Sequence, residues 1–188
     1  MRHLAVAGAL LWAGCGRGPS PGASGTSAAG GEPADTPAIR SGVADSVVLE
    51  RSPCFGPCPV YRLVLTGTGG VRFSAPPAVG GERTGTGSVA PAAVARLLAH
   101  AERVGFFGLP GRTAEDSALC PLRATDHPTV TVAVYQGGVA KQVEDYTGCY
   151  VSTDPRRLAA PLEGLRALEA AIDSVAGVDR WASPRSRR

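Results

Sequence analysis

Cysteines restrict the structure of this 188-residue chain more than any other residue type, and there are five of them. Cys15 follows a short apolar run near the N-terminus, whereas Cys54, Cys58, Cys120 and Cys149 lie in the later part of the chain. An even number of cysteines in one small domain is typical of disulfide bonds formed in an oxidising compartment. We therefore expect two disulfides and a location outside the cytoplasm.

The four later cysteines can be paired in three ways, and the sequence does not choose among them, although we prefer one pairing. A Phe-Gly-Pro turn separates Cys54 from Cys58 and can bring their α-carbons within bridging range. The remaining pair, Cys120 with Cys149, would then close a loop around a predicted hairpin. The alternative joins the first turn to Cys149 and so ties the two halves of the domain together.

The N-terminus has the pattern of an export signal. A positively charged start is followed by an apolar run over residues 4–12 and by two small residues. The run is too short for a membrane span, which needs about 20 residues. Small residues directly before Cys15 resemble the lipobox of bacterial lipoproteins, although Trp12 stands where that family prefers leucine. The resemblance implies a lipid on Cys15 after removal of residues 1–14; secretion as a soluble protein is the alternative.

Composition divides the rest of the chain. Residues 15–44 are rich in Gly, Ser, Ala and Pro, so we expect a lipidated cysteine followed by a flexible linker. Residues 45–181 are long enough for one domain, and residues 182–188 read as a basic, disordered tail. A formal charge of +3 does not favour a nucleic-acid partner. The expected partners are the membrane, through the lipid, and an envelope protein or polymer.

Hydrophobic periodicity predicts an α+β fold. Residues 60–66 alternate apolar and polar side chains, as a half-buried strand does, whereas residues 91–104 repeat apolar side chains at helical spacing. Strands are predicted over 47–51, 60–66, 71–75, 83–88, 129–135 and 139–146, and helices over 91–104 and from about 155 or 161 to 176. We expect an antiparallel sheet built from two hairpins plus short strands, with two helices packed on one face.

One segment carries a family resemblance. Residues 52–61 read Ser-Pro-Cys-Phe-Gly-Pro-Cys-Pro-Val-Tyr. They resemble the opening of a family of uncharacterised bacterial proteins, a domain of unknown function recognised by a Cys-Phe-Gly-x-Cys-Pro turn that leads into a Tyr-containing strand. The resemblance continues through residues 106–107, 125–129 and 145–149 and through the closing helix to Trp181. It implies a single domain and brings no established activity.

Candidate catalytic side chains cluster before and within the second hairpin: Glu115, Asp116, Asp126, His127, Asp145 and Tyr146. Asp126 and His127 could supply a base or a metal ligand, but neighbouring residues of a strand point to opposite faces. We favour a turn capped by Asp126, with His127 exposed beside it. The sequence contains neither a Gly-x-Ser-x-Gly elbow nor a glycine loop that opens a helix.

Cysteine spacing argues against redox and zinc chemistry. Redox pairs normally have two intervening residues at a helix N-terminus, whereas three separate Cys54 from Cys58. Cys120 and Cys149 lack the closely spaced pairs of structural zinc sites. We expect no catalytic residues, no metal and no cofactor.

These observations favour a non-enzymatic binding or structural module on an envelope lipoprotein, either periplasmic or at the cell surface. The candidate binding surface consists of Tyr61, Asp126, His127 and Tyr146. Two enzymatic alternatives remain: a thiol-disulfide oxidoreductase that uses Cys54 and Cys58, and a hydrolase that uses Asp126 and His127.

Overall fold

The computed structural model describes residues 44–77, 83–154 and 156–182. The elements in chain order are β1 Ser46–Arg51, β2 Tyr61–Thr66, β3 Gly70–Ala75, β4 Arg83–Ser88, α1 Pro91–Arg103, β5 Leu122–Arg123, β6 Thr129–Gln136, β7 Val139–Tyr146, β8 Cys149–Tyr150, α2 Ala160–Ala176 and α3 Asp179–Ala182. Within these ranges no helix is long and apolar enough to cross a membrane. The predicted signal peptide, Cys15, nearly all of the linker and most of the basic tail lie outside the described residues.

Six strands form one antiparallel sheet in the order β4-β3-β2-β1-β6-β7, and β5 pairs with β8 in a small second sheet. The register places Leu63, Leu49, Val132 and Val143 side by side across four strands, and all four are fully buried. Because directly paired residues point to the same face, the core lies on one side of the sheet. Helices α1 and α2 pack against each other and against this side, so the predicted α+β fold is confirmed.

Helix α2 shows how local signals set its limits. It begins at Ala160 with Pro161 in its first turn, where a missing backbone N–H costs nothing. It ends at Ala176 and is capped by Gly177, whose φ of +64° favours glycine, and this is the cap that the sequence predicted. Its apolar residues at helical spacing are buried against the sheet and α1: Leu162, Leu165, Leu168, Ile172 and Ala176.

Strand β4 is confirmed despite its two glycines, and the tertiary structure explains them. A Cβ atom at Gly85 would lie 3.2 Å from the Trp181 indole, and one at Gly87 would lie 3.3 Å from it. The same indole packs on Phe73, with ring centroids 5.5 Å apart. The glycines therefore leave space for the indole of Trp181, a residue of α3 that packs on β3 and β4 at this edge of the sheet.

Two disulfides join Cys54 to Cys58 and Cys120 to Cys149, which is the preferred one of the three pairings that the sequence left open. The second bond connects the loop before β5 to β8, across a sequence separation of 29 residues. Both of its cysteines are buried. Two disulfides in one small domain indicate an oxidising location outside the cytoplasm.

Candidate functional site

One row of the sheet carries polar side chains into the core. Arg51 pairs with Tyr61 on one side and with Val130 on the other, and Val130 pairs with Asp145. Paired residues share a face, so Tyr61, Arg51 and Asp145 all point towards the helices. Each of the three lies at or next to the strand end from which a loop leaves, so the row underlies one end of the sheet.

Helix α2 places charged side chains over this row. Arg166, Glu169 and Asp173 follow each other at three- and four-residue spacing, which puts them on the same face of the helix. Arg51 donates to Asp173 Oδ2 from Nη2 at 2.7 Å and from Nε at 3.2 Å. The Tyr61 hydroxyl donates to Asp173 Oδ1 at 2.8 Å and accepts a hydrogen bond from Arg51 Nε at 2.8 Å. Asp173 therefore ties α2 to the end of β1 and the start of β2.

Asp145 makes the corresponding connection on the other side of the row, and its carboxylate is fully buried. Arg166 Nε donates to Oδ2 at 2.8 Å, and the Thr113 hydroxyl donates to Oδ1 at 3.1 Å. A second nitrogen of Arg166 donates to the Tyr146 carbonyl oxygen at 3.3 Å. The buried carboxylate is thus both neutralised and hydrogen-bonded, which is the condition for keeping a charge in a protein interior.

Glu169 lies between these two ion pairs and is 3% exposed. Burial, followed by the negative charge of Asp145, raises the pKa of Glu169 to about 8, although Arg51 and Arg166 oppose the shift. Glu169 is therefore protonated at neutral pH. Its Oε1 atom has no hydrogen-bond partner in the described part of the chain. With Glu169 neutral, two arginines balance two aspartates. We call these residues the buried charge network: Arg51, Tyr61, Thr113, Asp145, Arg166, Glu169 and Asp173.

Tyr61 belongs to this network and not to an exposed surface. Its residue is 4% exposed, because its position on β2 faces the core. Burial raises the pKa of the Tyr61 hydroxyl, and the hydrogen bond to Asp173 raises it further, while Arg51 acts in the opposite direction. Burial would lower the pKa of Arg51, but Asp173 and Tyr61 outweigh it and the pKa is raised. The hydroxyl is therefore a neutral donor, and the guanidinium is charged.

Three loops meet beyond the ends of these strands, and we call this region the disulfide end: residues 52–59, 124–129 and 146–149. Backbone and side-chain bonds join the loops. Ser52 and Thr129 exchange two hydrogen bonds, at 2.8 and 2.9 Å, and the Phe55 N–H donates to the Asp126 carbonyl oxygen at 3.4 Å. The segments that carry the sequence resemblance on 52–61, 125–129 and 145–149 are therefore neighbours in space.

The disulfide end brings together three of the four residues of the candidate binding surface. The His127 N–H donates to the Tyr146 hydroxyl at 3.3 Å, and that hydroxyl donates to the Ala124 carbonyl oxygen at 2.7 Å. The His127 and Tyr146 rings are arranged edge to face, with their centroids 6.5 Å apart. Asp126 adopts a φ of +63° in the same turn. Tyr61 does not join them, because it points into the core beneath.

Phe55 is the most exposed large apolar side chain of the described residues, at 92%. It lies inside the ring closed by the Cys54–Cys58 disulfide. Three prolines flank it in the short segment 53–59, and each of them is exposed. The loop is therefore held by a covalent ring, by proline φ angles and by the hydrogen bond to Asp126, while its aromatic tip projects into solvent.

The geometry gives the two enzymatic alternatives no support. The His127 imidazole forms no hydrogen bond to any described residue, so nothing there orients it as a base. The Cys54–Cys58 loop leads into β2 and not into a helix N-terminus, which would lower a thiol pKa. Among the residues of the described ranges, no three His, Cys, Asp or Glu side chains are grouped to hold a metal ion.

The other acidic candidates have structural roles. Glu115 pairs with Arg112 at 3.1 Å on the surface. The Asp116 side chain accepts hydrogen bonds from the backbone N–H groups of residues 118 and 119, at 2.8 and 3.1 Å. Asp145 belongs to the buried charge network. The side chains singled out near the second hairpin therefore do not converge on one point.

Sequence reasoning missed most of the buried charge network. Arg51 ends a strand, where an exposed charge is ordinary, and its partner Asp173 is 122 residues away. A usable signal was present in α2. Arg166, Glu169 and Asp173 lie along the apolar side of the helix and not opposite it. Charged side chains on the core face of a helix indicate buried partners.

Fold and site together define an α+β domain with a disulfide-closed loop above a buried charge network. Residues 45–173 match DUF6438, a domain of unknown function. This match covers most of the chain, so the protein belongs to the DUF6438 family, and the resemblance to a domain of unknown function is confirmed. The matched region begins just before β1 and ends at Asp173. No curated protein matches the sequence.

Proposed function

We propose that this protein is an envelope lipoprotein whose folded domain binds a partner protein through the disulfide end, without catalysing a reaction. The exposure of Phe55 on a constrained loop is the observation that carries the proposal. A fully solvated phenyl ring contributes nothing to the core beneath it. It is well suited to fill an apolar pocket on another protein.

The constraints on the loop favour binding. Association costs less when the contacting segment is already fixed, because fewer side chains and backbone angles must be ordered. The Cys54–Cys58 ring and the hydrogen bond from Phe55 to Asp126 supply that order in the free protein. The buried charge network adds support from below, because Arg51 and Tyr61 hold the two strands that flank the loop against Asp173.

The surroundings of Phe55 have the composition of a small interface. Exposed prolines at 53, 57 and 59 add rigid apolar surface, and Asp126 and His127 add polar groups beside it. Interfaces commonly combine an aromatic or aliphatic centre with a polar rim. We therefore assign a partner with an apolar pocket bordered by hydrogen-bonding groups.

We expect Phe55→Ala to weaken binding of the partner by roughly 30-fold, the loss typical of an aromatic residue at the centre of an interface. A photoreactive phenylalanine analogue at position 55 of the full chain, introduced in cells, should capture the partner. Binding of the captured protein to purified variants then gives the affinity. Val139→Ala is the matched control, because Val139 is also an exposed apolar residue, at 57%, in the hairpin at the opposite end of the sheet. Equal affinities of the two variants would refute the proposal.

The anchor requires a test of its own, because it rests on Cys15 and on the small residues before it. Replacing Cys15 by alanine removes the thiol that would carry the lipid. We expect the wild-type chain in the detergent phase and the variant in the aqueous phase on detergent partitioning, with a lipid-sized difference in intact mass. Membrane fractionation of both forms would contradict lipidation at Cys15 and leave the binding role of the disulfide end untouched.

A further inference from the structure

We propose that the domain forms a dimer in which strand β4 pairs antiparallel with β4 of a second copy, which extends the sheet across a two-fold axis. The two outer strands of the sheet differ. Strand β7 is protected over its second half: the Glu144 N–H donates to the Gly111 carbonyl oxygen at 2.9 Å, and the Tyr146 N–H donates to Thr113 Oγ1 at 3.2 Å. Lys141 adds a charge to the same strand, and charged side chains discourage pairing at edges.

Strand β4 has no such protection. The Val89 N–H donates to the Gly69 carbonyl oxygen at 2.9 Å, just beyond the last residue pair of the β3–β4 ladder. Along an antiparallel strand, residues whose backbone groups bond the neighbouring strand alternate with residues whose backbone groups point away from it. Since Val89 bonds the β3 side, the backbone groups of Thr84, Thr86 and Ser88 point away from β3. Within the ranges that the structure describes, these groups have no hydrogen-bond partner. They form a row of donors and acceptors at the edge of the sheet.

A second copy of β4 matches this row. With the two-fold axis at Thr86, that residue faces its own counterpart, and Thr84 faces Ser88 of the second copy. The opposed residues then carry side chains on the same face of the extended sheet. The buried faces of the two sheets therefore point in the same direction. Each opposed pair exchanges two backbone hydrogen bonds, and pairs of Thr and Ser hydroxyl side chains are favourable neighbours across strands. Arg83 lies outside the paired residues, so no like charges are directly opposed.

Trp181 supplies the apolar part of the same interface. Its indole covers Gly85 and Gly87 on the core side of β4, yet it remains partly exposed. Its position over residues 85–87 is level with the proposed axis at Thr86. Neighbouring strands lie about 4.8 Å apart, so the indoles of the two copies would contact each other across the axis. Side-by-side aromatic rings add stabilisation to a row of backbone hydrogen bonds.

The dimer is tested by sedimentation velocity of the purified full chain in detergent over a range of concentrations. We expect the wild-type chain to dimerise. Thr86→Lys would place two ammonium groups opposite each other, and Thr86→Pro would remove an outward N–H while the β3–β4 ladder stays intact. Each change should raise the dimer dissociation constant roughly tenfold or more.

Two controls separate the interface from general damage. Gln142→Lys adds the same charge to an exposed position of β7 on the same face, and Thr86→Val keeps the backbone and the branched side chain. Both should dimerise like the wild-type chain. A wild-type chain that stays monomeric, or dimers of Thr86→Lys and Thr86→Pro as tight as the wild-type dimer, would overturn the proposal. Phe55→Ala should leave the dimer intact, so this result is independent of the disulfide end.

Discussion

Replacement of Asp145 by asparagine is expected to destabilise the domain by about 3 kcal/mol. The amide keeps the shape of the side chain and can still accept a hydrogen bond from Thr113, but it carries no charge. Arg166 would then remain in the interior without its anion. Removing one member of a buried ion pair is costly for this reason, and the partial exposure of Arg166, at 24%, keeps the expected loss at the lower end of the usual range.

Glu144→Gln is the matched control, because Glu144 is the neighbouring residue on β7 and pairs with Arg112 on the surface at 3.2 Å. We expect a loss below about 1 kcal/mol there. Urea unfolding followed by circular dichroism measures both. The double variant Asp145→Leu with Arg166→Met should recover most of the lost stability, since it leaves no unpaired charge. Equal losses from Asp145→Asn and Glu144→Gln would show that the buried pair has no special role.

Glu169 is expected to make the stability of the domain fall as the pH rises. The unfolded glutamate releases its proton near its usual pKa of 4.5, whereas burial and the nearby Asp145 raise the pKa of folded Glu169 to about 8. Between these values the folded state binds the additional proton, so its contribution to stability is complete below pH 4.5 and is lost as the pH passes about 8. The expected loss between pH 6 and pH 8 is about 2 kcal/mol.

Glu169→Gln isolates this contribution, because the amide is neutral at every pH and has nearly the same shape. The difference between the unfolding free energies of variant and wild type should grow in favour of the variant from pH 6 to pH 8. All other titrating groups are common to both proteins and cancel in the difference. A difference that stays constant over this range would mean that Glu169 is already ionised at pH 6, and that the network is not balanced as described.

Asp145→Asn and Glu169→Gln change residues that lie beneath the disulfide end. Their effects on partner binding can therefore be compared with the effect of Phe55→Ala. Asp173 and Asp145 hold the strands from which the loops leave, and neither lies on the exposed surface. At a temperature where the variants are still folded, we expect Asp145→Asn to weaken partner binding less than Phe55→Ala does. The buried charge network positions the surface, and Phe55 contacts the partner.

Local patterns predicted the strands of the main sheet and the two long helices because each of these elements is encoded by neighbouring residues. The alternation from Tyr61 to Leu65 defined β2, and Pro161 and Gly177 marked the ends of α2. Gly85 and Gly87 made β4 harder to predict, because the reason for these glycines is a contact with a residue far away in the chain. The Trp181 side chain that requires them lies almost 100 positions away, and no local pattern contains it.

The candidate site was predicted in part. Asp126, His127 and Tyr146 were named from the sequence, and they do meet at the disulfide end. Tyr61 was grouped with them, but strand parity directs it into the core, to Asp173. The four later cysteines were expected to form two disulfides from their number, whereas the choice among three pairings needed a spatial argument.

The sequence by itself therefore determined the six strands of the main sheet, the two long helices, the α+β class and the expectation of disulfides, because periodicity and cysteine number depend on residues taken in order. It did not predict the short elements β5, β8 and α3. Only the tertiary structure decided which side chains would meet. Asp173 reaches Arg51 and Tyr61, and Asp145 reaches Arg166, because the sheet register and the rotation of α2 place them in one buried layer. Local sequence can mark a charged residue on the core face of a helix, as it does in α2, but it does not identify the distant partner. The exposure of Phe55 is likewise visible only in the folded chain, where none of the described residues covers its ring.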